Sequence, residues 1–100
     1  MVTYKIHQIK DIANTDYAFR SYDPTKFDFA DYECKYERTI SAEAKTAIEI
    51  CEDLFYEFNM NRPEDFTGHS LSMSDVIEII TDLTRNLYYC DWSGWTKVIM

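Results

Sequence analysis

Apolar and polar positions alternate in the opening stretch VTYKIHQI. Val2, Tyr4, Ile6 and Gln8 fall on one side, and Thr3, Lys5, His7 and Ile9 on the other. A period of two predicts a half-buried first strand over Val2–Ile9. The alternation returns in YECKYERTI, where Tyr32, Cys34 and Tyr36 oppose Glu33, Lys35 and Glu37, and predicts a second strand over Tyr32–Ile40. Between them, DIANTD reads as a turn. YAFRSYDPTKFDFADY is rich in aromatics and broken at Asp23-Pro24, which suits a short strand, a turn and one helical turn.

The period then changes. Ala44, Ala47, Ile48, Cys51, Leu54, Phe55 and Phe58 follow the spacing of one helical face, so Ser41–Phe58 is expected to be the main helix. Ser41 is its candidate N-cap, Glu43 lies in the first turn, and Asn59, Asn61 and Pro63 end it. NRPEDFTGH is a loop. LSMSDVIEII, Leu71–Ile80, becomes rich in β-branched residues and should enter a strand. TDLTRN makes a hairpin connection to LYYCDW, and GWTKVI follows around Ser93-Gly94. The expected fold is α+β: a single domain over residues 1–100, with one main helix on a mostly antiparallel sheet of about four to five strands.

Composition narrows the function. The chain of 100 residues is 46% apolar and 16% aromatic, enough for a core. Eighteen acidic residues against ten basic ones give a net charge of −8. Such a surface repels nucleic acid and anionic membranes and favours basic partners. Three widely spaced cysteines, Cys34, Cys51 and Cys90, read as reduced thiols of an intracellular protein. The start of the chain lacks the apolar run of a signal peptide, and no stretch approaches a membrane span, so a soluble cytoplasmic protein is expected.

Candidate chemistry centres on FTGHSLSMSD, which holds the residue types of a hydrolase triad. There is no G-x-S-x-G elbow, and His69 and Ser70 are adjacent, which on a strand would send them to opposite faces. Ser70, Ser72 and Ser74 alternate with Leu71 and Met73, so the run reads as structural: Gly68, His69, Ser70, Ser72 and Asp75 fix the loop before the third strand. No C-x-x-C or H-x-x-x-H pair seeds a metal site, and no glycine-rich loop suits a nucleotide, so neither metal nor cofactor is expected. Glu49, Glu52, Asp53 and Glu57 line the polar face of the helix. Carboxylates fixed there would imitate a row of phosphates and occupy a nucleic-acid groove on a partner. Trp92 and Trp95 are candidate aromatic anchors of a protein interface.

The run NRPEDFTGHSLSMSD, Asn61–Asp75, followed by YYCDWSGWTKV, resembles the YodL-like domain family. The matching parts are Phe58-Asn59, Pro63 to Phe66, Gly68 to Ser72, Ser74-Asp75, and Tyr88, Tyr89, Asp91 and Gly94. Thr15 to Asp31, Trp92 and Trp95 look less family-like and are candidates for an interface of this protein's own. The resemblance implies an accessory protein of mobile DNA, standing alone here, with no catalytic residue to carry over. The expected function is non-enzymatic: an acidic protein of a phage or conjugative element that binds and inhibits a host nucleic-acid-handling protein. A CRISPR-Cas effector is the most concrete candidate, which would make the chain an anti-CRISPR-type inhibitor. The alternative is an interaction module acting on host cytoskeletal or conjugation proteins. A small hydrolase built on His69 with Ser70 or Ser72 is a third reading.

Overall fold

The computed structural model describes residues 1–99. Five strands form one sheet: β1 (Val2–Ile9), β2 (Tyr32–Ile40), β3 (Val76–Ile80), β4 (Arg85–Asp91) and β5 (Gly94–Lys97). Their spatial order is β2-β1-β3-β4-β5, and every neighbouring pair is antiparallel. A single helix, α1 (Ala47–Met60), joins β2 to β3. The α+β reading holds, with the sheet at five strands.

The helix begins later than its apolar spacing suggests. Thr46, not Ser41, is the N-cap: its hydroxyl accepts from the Glu49 N–H at 3.2 Å, while the Glu49 carboxylate accepts from the Thr46 N–H at 2.9 Å. This reciprocal pair satisfies two of the donors that every helix start leaves free. Glu43 lies outside the helix and pairs with the amino group of Met1. The buried stripe is Ile50, Cys51, Leu54 and Phe58. Ala44 is exposed, and Phe55 lies at the stripe's edge.

The faces of β2 also differ from simple alternation. Ile6 pairs with Tyr36 but His7 pairs with Cys34, so Lys35 is an extra residue in the ladder. A bulge of this kind reverses the alternation beyond it. Tyr36 therefore packs on the α1 side, and Tyr32 on the opposite side.

Both faces of the sheet are covered. On one, Val2, Tyr4, Ile6, Ile77, Ile79 and Tyr88 meet the buried stripe of α1, with Phe66 and Leu71 at one end. On the other, Ile9, Tyr32, Val76, Leu87, Tyr89 and Val98 are covered by Tyr17, Ala18, Tyr22, Phe27 and Phe29. The segment carrying those rings contains two 3-10 turns, Ile12–Asn14 and Phe29–Asp31, and no strand. Side chains tie it down instead. The Tyr89 hydroxyl donates to the Arg20 carbonyl at 2.7 Å, the Tyr22 N–H donates to Asp91 at 3.1 Å, and the Tyr17 hydroxyl donates to Asp31 at 2.7 Å. On this face Glu78, 1% exposed, accepts from His7 at 2.9 Å and also pairs with Arg85.

Candidate functional site

Leu71 to Asp75 is not a strand. The Asp75 N–H donates to the Ser72 carbonyl at 3.1 Å, Ser74 has a left-handed φ of 77°, and β3 starts only at Val76. The turn is fastened from β1. Gln8, buried on the helix side, donates through Nε2 to the His69 carbonyl at 2.9 Å and to the Asp75 carboxylate at 3.1 Å. The same carboxylate oxygen accepts from the Ser72 N–H at 3.0 Å. Burial pushes Asp75 up to about 6, against the pull of the Ser72 N–H, His69 and Gln8. Gly68 lies so close to Gln8 that an added Cβ would come within 2.2 Å of its Oε1. Ser74 Oγ accepts from the Phe19 N–H at 3.0 Å, and the Tyr32 hydroxyl donates to the Ser74 carbonyl. The Asn59 amide donates to the Leu71 carbonyl at 3.1 Å.

Among the described residues, His69 makes no hydrogen bond to a serine hydroxyl. Its Nδ1 lies 2.7 Å from the Ser70 carbonyl, and its Nε2 lies 3.8 Å from Asp75. Ser70 is exposed, and the Ser72 hydroxyl is buried without a partner. Among the described residues no cluster of three His, Cys, Asp or Glu side chains is placed to hold a metal ion. Burial raises the Cys51 and Cys90 thiols, the latter to about 12, which keeps both protonated.

The acidic helix face is largely paired within the chain. Glu49 belongs to the helix cap, Asp53 pairs with Lys45, and Glu57 accepts from Arg38 at 3.2 Å. Of the four, Glu49 and Glu52 have no cation against them among the described residues.

Glu52 instead stands at the mouth of a groove of about 580 Å³ between α1 and the β4–β5 turn. Glu52, Phe55, Tyr56, Asn59 and Met60 form its helical wall, and Cys90 to Trp95 its other wall. Trp95 is half-buried and meets Phe55 edge to face at 6.3 Å. Trp92, Tyr56 and Met60 are 78%, 69% and 70% exposed, so a contiguous set of large apolar side chains meets water here. Glu52 and Asp91 are the only charged groups in the lining. Trp92 and Trp95, the aromatic candidates named from the sequence, share this lining with Tyr56 and Met60, which the sequence reading did not name. The signal was present: both lie outside the buried stripe, four residues apart, on a helix otherwise polar there.

No helix among the described residues is long and apolar enough to cross a membrane. No curated protein and no solved structure matches the chain. The model of the YodL-like domain matches residues 3–100. The residues that carry this likeness have structural places in the fold: Phe58 and Phe66 in the core, Gly68 against Gln8, Asp75 at the turn, and Tyr89 and Asp91 on the covering segment. With the match extending over almost all of its length, the chain belongs to the YodL-like domain family.

Proposed function

We propose that this is a non-enzymatic accessory protein of a phage or conjugative element, which works in the host cytoplasm by binding a basic, nucleic-acid-handling host protein and blocking its nucleic-acid site. A CRISPR-Cas effector is the most concrete target. The observation that supports this reading is the groove beside α1, with exposed aromatic walls and acidic charges alone in its lining. An overall charge of −8 adds attraction toward a basic surface. The polar contacts of His69, Ser74 and Asp75 fasten a turn, which favours a structural role for that run.

The test is affinity capture from host lysate at low and high salt, with wild type beside a Trp92→Ala/Tyr56→Ala pair and a Glu49/Glu52/Asp53/Glu57→Ala set. A nucleic-acid enzyme that is released by salt and displaced by its own guide or target supports inhibition. A second reading, an interaction module for host cytoskeletal or conjugation proteins, is favoured by the pairing of Glu49, Asp53 and Glu57 within the chain. It requires a partner that stays bound at high salt and is lost in the aromatic pair.

A further inference from the structure

The helical wall of the groove repeats the periodicity of a packing face. Residues 52, 55, 56, 59 and 60 recur at spacings of three and four, as the buried residues 50, 51, 54 and 58 and the partly buried 47 do. α1 therefore presents two stripes, one filled by the sheet and one facing open space. The second stripe runs over about two turns, some ~12 Å at the usual rise per residue. A side-chain stripe of that length is what one helix offers another for ridges-into-grooves packing.

The charge of the seat restricts its occupant. Glu52 lies in the lining without a basic residue beside it. Asp91 borders the groove as well, but its carboxylate is taken up by the Tyr22 and Trp92 N–H groups, from which it accepts at 3.1 and 2.8 Å. The last turn of α1 carries no basic side chain, so its free carbonyls add partial negative charge at the Met60 end. The exposed rings of Trp92 and Tyr56 are good acceptors for a guanidinium or ammonium group. A second copy of this chain is a poor fit, because α1 is acidic and the chain carries −8 overall.

We propose that the groove seats a cationic amphipathic helix of a partner protein, about two to three turns long, with apolar residues against Phe55, Met60 and Trp95 and with Arg or Lys toward Glu52 and the exposed rings. The proposal rests on the reading of a basic partner given above and names the element of that partner that makes contact.

Both tryptophans of the chain line the groove, so intrinsic fluorescence reports on it directly. The probe is a synthetic amphipathic helical peptide with Leu on one face and Arg and Lys on the other, titrated into the intact protein. Its controls are a scrambled peptide of the same composition and one with every Leu replaced by Ser. The amphipathic peptide is expected to shift the tryptophan emission and to bind at least about tenfold more tightly than either control, a difference of ~1.4 kcal/mol. Tyr56→Ala and Met60→Ser, both at exposed positions, are expected to weaken it to a similar degree while circular dichroism stays unchanged. Glu52→Gln should reduce the salt dependence of binding.

Equal binding of the scrambled peptide, or binding untouched by Tyr56→Ala and Met60→Ser, overturns the proposal. So does a concentration-dependent dimer in sedimentation that Tyr56→Ala and Met60→Ser abolish, since the occupant is then a second copy. Peptide binding without capture of any nucleic-acid protein from lysate leaves the groove standing and removes the host target. Capture of such a protein equally well by the groove variants does the reverse.

Discussion

Gly68 has no room for a side chain because Gln8 already occupies the space. Gly68→Ala would place a methyl group 2.2 Å from Gln8 Oε1 and 2.7 Å from the Phe66 ring. The expected cost is about 1–3 kcal/mol in urea denaturation. Gln8→Ala is also expected to destabilise, since the His69 carbonyl and Asp75 lose a donor, and in the double variant the two losses should sum to less than their separate values. Asp75 makes a prediction about pH. Its folded value, about 6, lies above the ordinary 3.8, so the fold binds this proton more tightly than the unfolded chain does. The Asp75 contribution to stability therefore grows as pH falls through 6 toward 4. Asp75→Asn removes that growth, so wild type should exceed the variant by more at pH 4.5 than at pH 7.5 in chemical denaturation. That the run from Gly68 to Asp75 joins helix to strand was legible in the sequence. Its fastening by Gln8 was not, because the partner lies 61 residues from His69 and no local pattern marks the meeting.

At the scale of elements, α1 was legible from its 3.6-residue period, and its start was misplaced by an incomplete cap signal. Ser41 has the right hydroxyl, but only Thr46 has a glutamate three residues on. Thr46→Ala is expected to cost about 1 kcal/mol, and Ser41→Ala to stay within about 0.5 kcal/mol, by thermal or urea unfolding. In β2 the alternation was read correctly and its consequence was not, since one inserted residue, Lys35, sends Tyr32 and Tyr36 to opposite faces. β1, β3 and β4 are joined by a buried polar contact with its own pH signature. Burial holds His7 below 6.5 despite the pull of Glu78, while the bonds from Arg85 and His7 hold Glu78 below 4.5 against its own burial. Both groups bind protons more weakly in the fold than in the unfolded chain. Stability from His7 is thus lost as pH falls below 6.5, and that from Glu78 as pH falls below 4.5. His7→Gln should flatten the first of these losses in denaturation curves recorded from pH 7 to pH 5.

For the whole molecule, the fold class followed from two strand-like alternations, one helical stripe and a β-branched run, which only a helix on a sheet would bury together. The cover on the second face was hidden, because the aromatic segment before β2 is held by single rings and single hydrogen bonds and has no period to read. The same reason hid the groove, which forms only where α1 and the β4–β5 turn come side by side. With β1, β3 and β4 each paired on both sides and both faces of the sheet covered, their amides should exchange most slowly with deuterium. The outward amides of the edge strands β2 and β5 should exchange faster. The strand order also bears on synthesis. β1 leaves the ribosome well before β3, yet β3 is one of its two neighbours and begins only at Val76. Until that residue clears the exit tunnel, the nascent chain holds at most a two-stranded ribbon, which is marginal in water. The sheet therefore closes only once β3 has emerged, and a transcript truncated between β2 and β3 encodes this domain without its central strand.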